Sequence, residues 1–185
     1  MTSATTFVSY ASQDAFHATR LSEFLEQHKV VCWIAPRDIA LGQNYGEAIV
    51  RAIYHCRCMV VLLSEHSNQS KHVAKEVERA VHADLLLIPV RLDQTLPSGA
   101  LEYLLSTNQW LDLGSSADPG ALMPVVDAIK DRLGDAAPAK PAPPPTVIRE
   151  QAIEMQELVP DEWNRRGKRW RDRVWDSLFA DKAKL

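Results

Sequence analysis

The feature that most constrains this chain is a set of short segments that are apolar from end to end instead of alternating. Residues 30–34, 58–63 and 85–90 are of this kind, within strands expected over 30–34, 58–64 and 85–92. A strand with one wet face alternates apolar and polar residues, whereas a strand that is apolar throughout is buried on both faces. The stretches between them carry the helical period. Residues 12–28 place Phe16, Leu21, Phe24 and Leu25 on one side, with Ser12 as candidate N-cap. Residues 43–54 turn Ala48, Ile49, Ala52 and Ile53 inward, and residues 68–83 turn Val73, Val77, Ala80 and Val81 inward. Residues 5–10 and 109–113 read as further strands, and residues 118–133 as a closing helix.

Buried strands alternating with helices form a parallel sheet covered on two sides. The expectation is an α/β domain over residues 1–133, a flavodoxin-like five-stranded parallel sheet with helices on both faces, followed by a short α-helical C-terminal tail. Residues 134–145 hold five of the eleven prolines. Proline lacks the N–H donor that helices and ladders need, so this stretch reads as an extended linker. The tail is residues 146–185.

Composition excludes several classes. The longest apolar runs are far shorter than a bilayer-spanning helix, and residues 1–6 lack the basic and apolar regions of a signal peptide. A cytoplasmic protein is expected. Cys32, Cys56 and Cys58 fit neither a zinc site nor a Cys-x-x-C redox motif, and read as packed, reduced thiols. No metal or resident cofactor is expected. A net charge of −3 offers no basic excess for nucleic acid, and no direct nucleic-acid contact is expected.

In open parallel sheets, ligands bind beyond the carboxyl ends of the strands. Here those ends lead into residues 10–14, 35–42 and 64–70. The first of these holds no glycine, which excludes a dinucleotide fingerprint, and no Gly-x4-Gly-Lys-Ser/Thr phosphate loop exists. A receiver-type acidic pair is also missing from the first strand. The polar residues of interest are therefore side chains. Glu76 falls about two turns into the third helix, with His72 one turn earlier on the same face, beside the inward stripe of Val73, Val77 and Ala80. A helical glutamate is ordinarily solvated, but this one can stand at the core edge and reach the crevice. Trp33 ends the second strand, and Arg37 and Asp38 follow on the loop, where they can pair with each other or meet a ligand or partner.

Several ordered segments resemble the Toll/interleukin-1 receptor (TIR) domain in its bacterial style. Phe7, Val8, Ser9 and Tyr10, with Ser12 and Asp14, resemble its first motif. Cys32 to Ile39 with Gly42 resembles the second, the BB loop. Val60 to Ser64, Ser67, Ser70, Val73, Glu76 and Val77 resemble the third strand and the helix after it. Ile88 to Val90, Leu101 to Ser106 and Trp110 to Asp112 resemble later segments, so the likeness runs over residues 5–133.

The resemblance implies a flavodoxin-like fold and one of two activities. Many members cleave NAD+ at the nicotinamide–ribose bond, as hydrolases or cyclases. Others are non-catalytic adaptors that act through TIR–TIR contact. In the enzymatic members a glutamate on the third helix is the key catalytic residue, and it maps to Glu76. The pyridinium leaves neutral and needs no acid, while the ribose becomes an oxocarbenium ion that a carboxylate can stabilise. NAD+ is then substrate, and no cofactor is implied. Trp33 and Tyr10 are candidates to stack on its rings, Arg37 and Asp38 to meet ribose or phosphate oxygens, and His72 to line the same site. The sequence departs from the family where His72 replaces a frequent aromatic and where Ala11 and Ser12 replace basic residues. By the resemblance, activity requires TIR–TIR assembly, in bacterial defence or host-interference signalling.

The body carries eleven Lys and Arg against fifteen Asp and Glu, and the tail nine against eight, with six basic residues between Arg165 and Arg173. Ile148, Ala152, Met155 and Val159 form one helical stripe, and a second helix is expected from Pro160, with Trp163, Trp170 and Trp175. Two short helices bury little alone. The tail is expected to contact protein: its own body, a second copy or another chain. An anionic membrane surface ranks behind these.

Overall fold

A computed structural model describes residues 5–113, 119–134 and 145–157. Its five strands are β1 (Thr6–Ser9), β2 (Cys32–Ile34), β3 (Cys58–Leu63), β4 (Leu86–Arg91) and β5 (Leu111–Asp112). All pair in parallel, in the order β2-β1-β3-β4-β5. The helices are α1 (Ala15–Gln27), α2 (Tyr45–His55), α3 (Glu65–Gln69), α4 (Lys71–His82), α5 (Gly99–Leu105), α6 (Met123–Gly134) and α7 (Pro145–Glu157). The flavodoxin-like expectation is met. β3, apolar over its whole length, is the central strand and every residue in it is buried.

Two apolar clusters lie on the two faces of the sheet. One gathers Val8, Ile34, Val60 and Leu62 with Leu21 and Leu25 of α1 and Val126 and Ile129 of α6. The other gathers Phe7, Met59 and Val61 with Ile49 and Ile53 of α2, Val73 and Val77 of α4, and Leu101 and Leu105 of α5. Cys32, Cys56 and Cys58 are free and buried. Burial pushes the Cys58 thiol up to about 11 and the Cys32 thiol up to about 12. Both are packing groups with no thiolate at neutral pH.

Several expected boundaries move. The helix expected from Ser12 begins instead with a 3-10 turn over Ser12–Asp14, and the Ser12 hydroxyl donates to Gln13 rather than capping. Phe16 is exposed, and Ala18 and Ser22 take the inward side with Leu21 and Leu25. The single helix expected over residues 68–83 is two. Ser70 is extended (φ −85°, ψ 105°), closes α3 and caps α4, its hydroxyl accepting from the Val73 N–H at 3.2 Å. A local serine cap overrides the continuing apolar period there. Val81 lies at 44% exposure, off the buried face. α5, which periodicity did not predict as a helix, packs beside α4.

Beyond the linker, α7 docks on the body. Its Ile148, Ala152 and Met155 are buried in the α2–α4 cluster. Gly46 makes this approach possible, because a Cβ there would collide with the Ala152 carbonyl. Gly134 ends α6 and Pro145 opens α7, so both ends of the expected linker are helical. Proline is accommodated at a helix start, where its missing N–H has no partner to lose. Val159 and the second tail helix lie outside the described residues, as does the linker interior. No helix among the described residues is long and apolar enough to cross a membrane.

Candidate active site

The ends of β1, β2 and β3 open on one side of the sheet, where residues 10–14, 35–44 and 64–70 meet. The first and third of these segments are fastened together. The Ser64 hydroxyl donates to Asp14 at 2.6 Å and accepts from the Ser67 N–H at 3.1 Å. The Ser67 hydroxyl accepts from the Ser64 N–H at 2.8 Å, completing a reciprocal cap on α3. Ser70 then restarts the chain as α4, which sets where Glu76 emerges.

Glu76 is 5% exposed, a buried carboxylate at the crevice. Buried charge is tolerated only with hydrogen-bonding partners. Ser9, the last residue of β1, donates its hydroxyl to Glu76 Oε2 at 2.5 Å. His72 Nδ1 meets Glu76 Oε1 at 3.0 Å. A carboxylate offers about four lone-pair sites, so two donors leave about two unfilled. The edge of the Tyr45 ring closes against His72, with centroids 6.0 Å apart and planes at 72°. Burial, with the Glu76 charge adding to it, pushes the Tyr45 phenol far above its ordinary range. The same two causes raise Tyr10, with Arg37 opposing. Both phenols are therefore neutral near Glu76. Sequence reasoning missed Ser9 and Tyr45 as members of this site. A serine inside a strand buried on both faces was the available signal for Ser9, since such a hydroxyl requires a partner.

The other sequence-derived candidates sit differently. Tyr10 donates its hydroxyl to the Ala35 carbonyl and so ties the root of the BB loop to β1. Trp33 stacks on Phe7, centroids 5.0 Å apart and planes 17° from parallel, with the ring packed against the core. Arg37 and Asp38 do pair with each other, at 2.9 Å. Arg37 also reaches Glu26 at 2.8 Å and the Cys32 carbonyl at 3.1 Å, while Asp38 accepts from the Ile34 N–H at 2.9 Å. Burial works against the Arg37 charge, but the hydrogen bonds it donates to Asp38 and Glu26 outweigh it and raise Arg37 above its ordinary value. These two residues brace the loop against α1. The structure thus brings His72 directly to Glu76, keeps Tyr10 within its electrostatic reach, and turns Arg37 to Glu26 and Asp38. Among the described residues no cluster of three His, Cys, Asp or Glu side chains could hold a metal ion.

Sheet order, BB loop and buried helix glutamate together define a TIR domain. A family model for the TIR domain matches residues 6–123, well over half of the chain, and the chain belongs to that family. Among solved structures, the TIR domain of the Toll-related receptor TRR-2 from Hydra magnipapillata is similar at 21% identity, with a TM-score of 0.55 over 69% of this chain and 97% of that one. A metazoan TIR-STING receptor from C. gigas, solved in complex with 2′,3′-cGAMP, is similar at 24% identity and a TM-score of 0.54. That match covers 72% of this chain and 39% of the receptor. At such identities the likeness speaks to the fold. No curated protein matches the chain significantly. Helix α7 lies wholly beyond the matched segment.

Proposed function

We propose that this chain cleaves NAD+ at the nicotinamide–ribose bond, with Glu76 as its principal catalytic residue. One observation carries the reading: a carboxylate buried at the crevice, fixed by a serine hydroxyl and an imidazole nitrogen and still able to accept about two more hydrogen bonds. Ribose hydroxyls are donors that fit those positions. As the C1′–N1 bond breaks, its electron pair leaves on nicotinamide, which departs neutral. The ribose gains positive charge, and a desolvated carboxylate held beside it stabilises that charge more than a solvated one would. No acid on the leaving group is needed, so one carboxylate beside the ribose, Glu76, suffices.

The proposal extends to assembly. Leu41, in the BB loop, is 86% exposed, and Gly42 beside it adopts φ +78°. An apolar side chain presented on a loop next to the crevice suits contact with a second TIR domain, either another copy or a partner, and a signalling role in bacterial defence or host interference follows by family. The same exposed leucine favours the second reading, a non-catalytic adaptor acting through TIR–TIR contact. Concentrated protein incubated with NAD+ and compared with Glu76→Ala separates the two. Nicotinamide release that disappears in the variant supports catalysis. No release at any protein concentration leaves the adaptor. Chromatography of the adenine-containing product distinguishes hydrolase from cyclase.

A further inference from the structure

Resting on the NAD+-cleavage reading, we infer that His72 is a second catalytic residue, the general base for the incoming water, and that Glu76 orients it. Nδ1 faces a Glu76 oxygen at 3.0 Å. A carboxylate only accepts, so Nδ1 carries the proton, and in the neutral ring Nε2 then holds the lone pair. That Nε2 is buried, and among the described residues no protein group pairs with it. Buried acceptors are ordinarily satisfied, and an orphan at a crevice calls for an explanation. A donor brought by the reaction supplies one.

The arrangement matches what a hydrolytic base requires. A carboxylate fixes one ring nitrogen, and the opposite nitrogen is left basic. The Ser9 hydroxyl on the other Glu76 oxygen keeps the carboxylate from rotating away from the ring. The edge-on Tyr45 ring backs the imidazole from α2. The step balances without a co-reactant. The water oxygen bonds to C1′ as the C1′–N1 bond breaks, and nicotinamide leaves with that electron pair. The water proton passes to Nε2, making an imidazolium that faces the Glu76 carboxylate, and then leaves to solvent. The products are nicotinamide, linear ADP-ribose and one proton. Closing the ring on the adenine instead needs no water, so a water-activating base favours the linear product.

His72→Asn tests this, since its amide nitrogen can replace the Nδ1 donor to Glu76 while nothing replaces Nε2. ADP-ribose formation is expected to fall about 100-fold. Azide, a nucleophile with no proton to lose, is expected to restore nicotinamide release in His72→Asn by bonding to C1′ and forming ADP-ribosyl azide, and to restore nothing in Glu76→Gln. Wild-type hydrolysis by His72→Asn, or a slow variant that azide does not speed, overturns the inference while leaving Glu76 in place. If His72→Asn does not fold, the imidazole nitrogen resonances of the wild-type protein decide: a proton on Nδ1 supports the inference and a proton on Nε2 overturns it. A wild-type protein that releases no nicotinamide at any concentration removes the NAD+ reading itself and this inference with it.

Discussion

Helix α4 buries two charged side chains one turn apart, and their surroundings are unlike. Glu76 is 5% exposed and Arg79 is 4% exposed. Glu76 is met by a serine hydroxyl from β1 and an imidazole nitrogen from its own helix, with acceptor capacity left over. Arg79 is met by acceptors: the Lys75 carbonyl at 3.1 Å, the Gln151 carbonyl at 3.1 Å and the Glu154 carboxylate at 2.9 Å. Two of those three belong to α7, so the arginine fastens the tail helix to the helix that carries the site. On the proposed function, the difference separates a charge buried for adhesion from a charge buried for chemistry. The first is matched by acceptors at both terminal nitrogens, and only its Nε is left without a partner among the described residues. The second is oriented but left incompletely matched, which lowers stability locally and keeps hydrogen-bonding capacity for a substrate.

The sharpest way to break this comparison is to exchange the outcomes. Glu76→Gln is expected to lower nicotinamide release by about 100-fold or more, with the unfolding midpoint nearly unmoved. Arg79→Met is expected to do the reverse. It leaves the Gln151 carbonyl without its buried donor and destabilises the protein by about 1–3 kcal/mol, measurable by urea unfolding. Turnover per folded molecule should stay near the wild-type value. Gly46→Ala comes next: its methyl meets the Ala152 carbonyl, so α7 should lift from α2 at a cost of about 1–3 kcal/mol. Hydrogen exchange should rise over residues 145–157 and remain unchanged in β3. Ser9→Ala removes one donor from Glu76 and is expected to slow turnover about tenfold, read as a fall in kcat. The smallest effect belongs to Glu154→Ala, whose carboxylate is 59% exposed: below about 1 kcal/mol.

The parts of the fold legible in the sequence were those with a strong local signal. Residues 58–63 are apolar without interruption, and only a central strand of a covered sheet requires that. Glu76 and His72 were legible as a pair because i and i+4 share a helix face. What was not legible depended on chain segments far apart. Ser9 and Glu76 are 67 positions apart, and no period links them. The Arg37–Glu26 pair spans 11 positions, from the BB loop back to the end of α1. The stripe of Ile148, Ala152 and Met155 showed that α7 has an apolar face, but the gap at Gly46 that receives it exists only once α2 is folded. The break at Ser70 was missed for the opposite reason. Apolar periodicity ran on through it, while a single serine side chain ended one helix and began another.

The central claim is that Glu76 is buried for chemistry, and it is tested most directly by one paired measurement. Nicotinamide release from NAD+ and the urea unfolding midpoint are recorded on the same preparations of wild-type protein and Glu76→Gln. The account predicts wild-type release, its loss in the variant, and midpoints that nearly coincide. Release that persists unchanged in Glu76→Gln, or a variant that loses activity only because it unfolds, would contradict it.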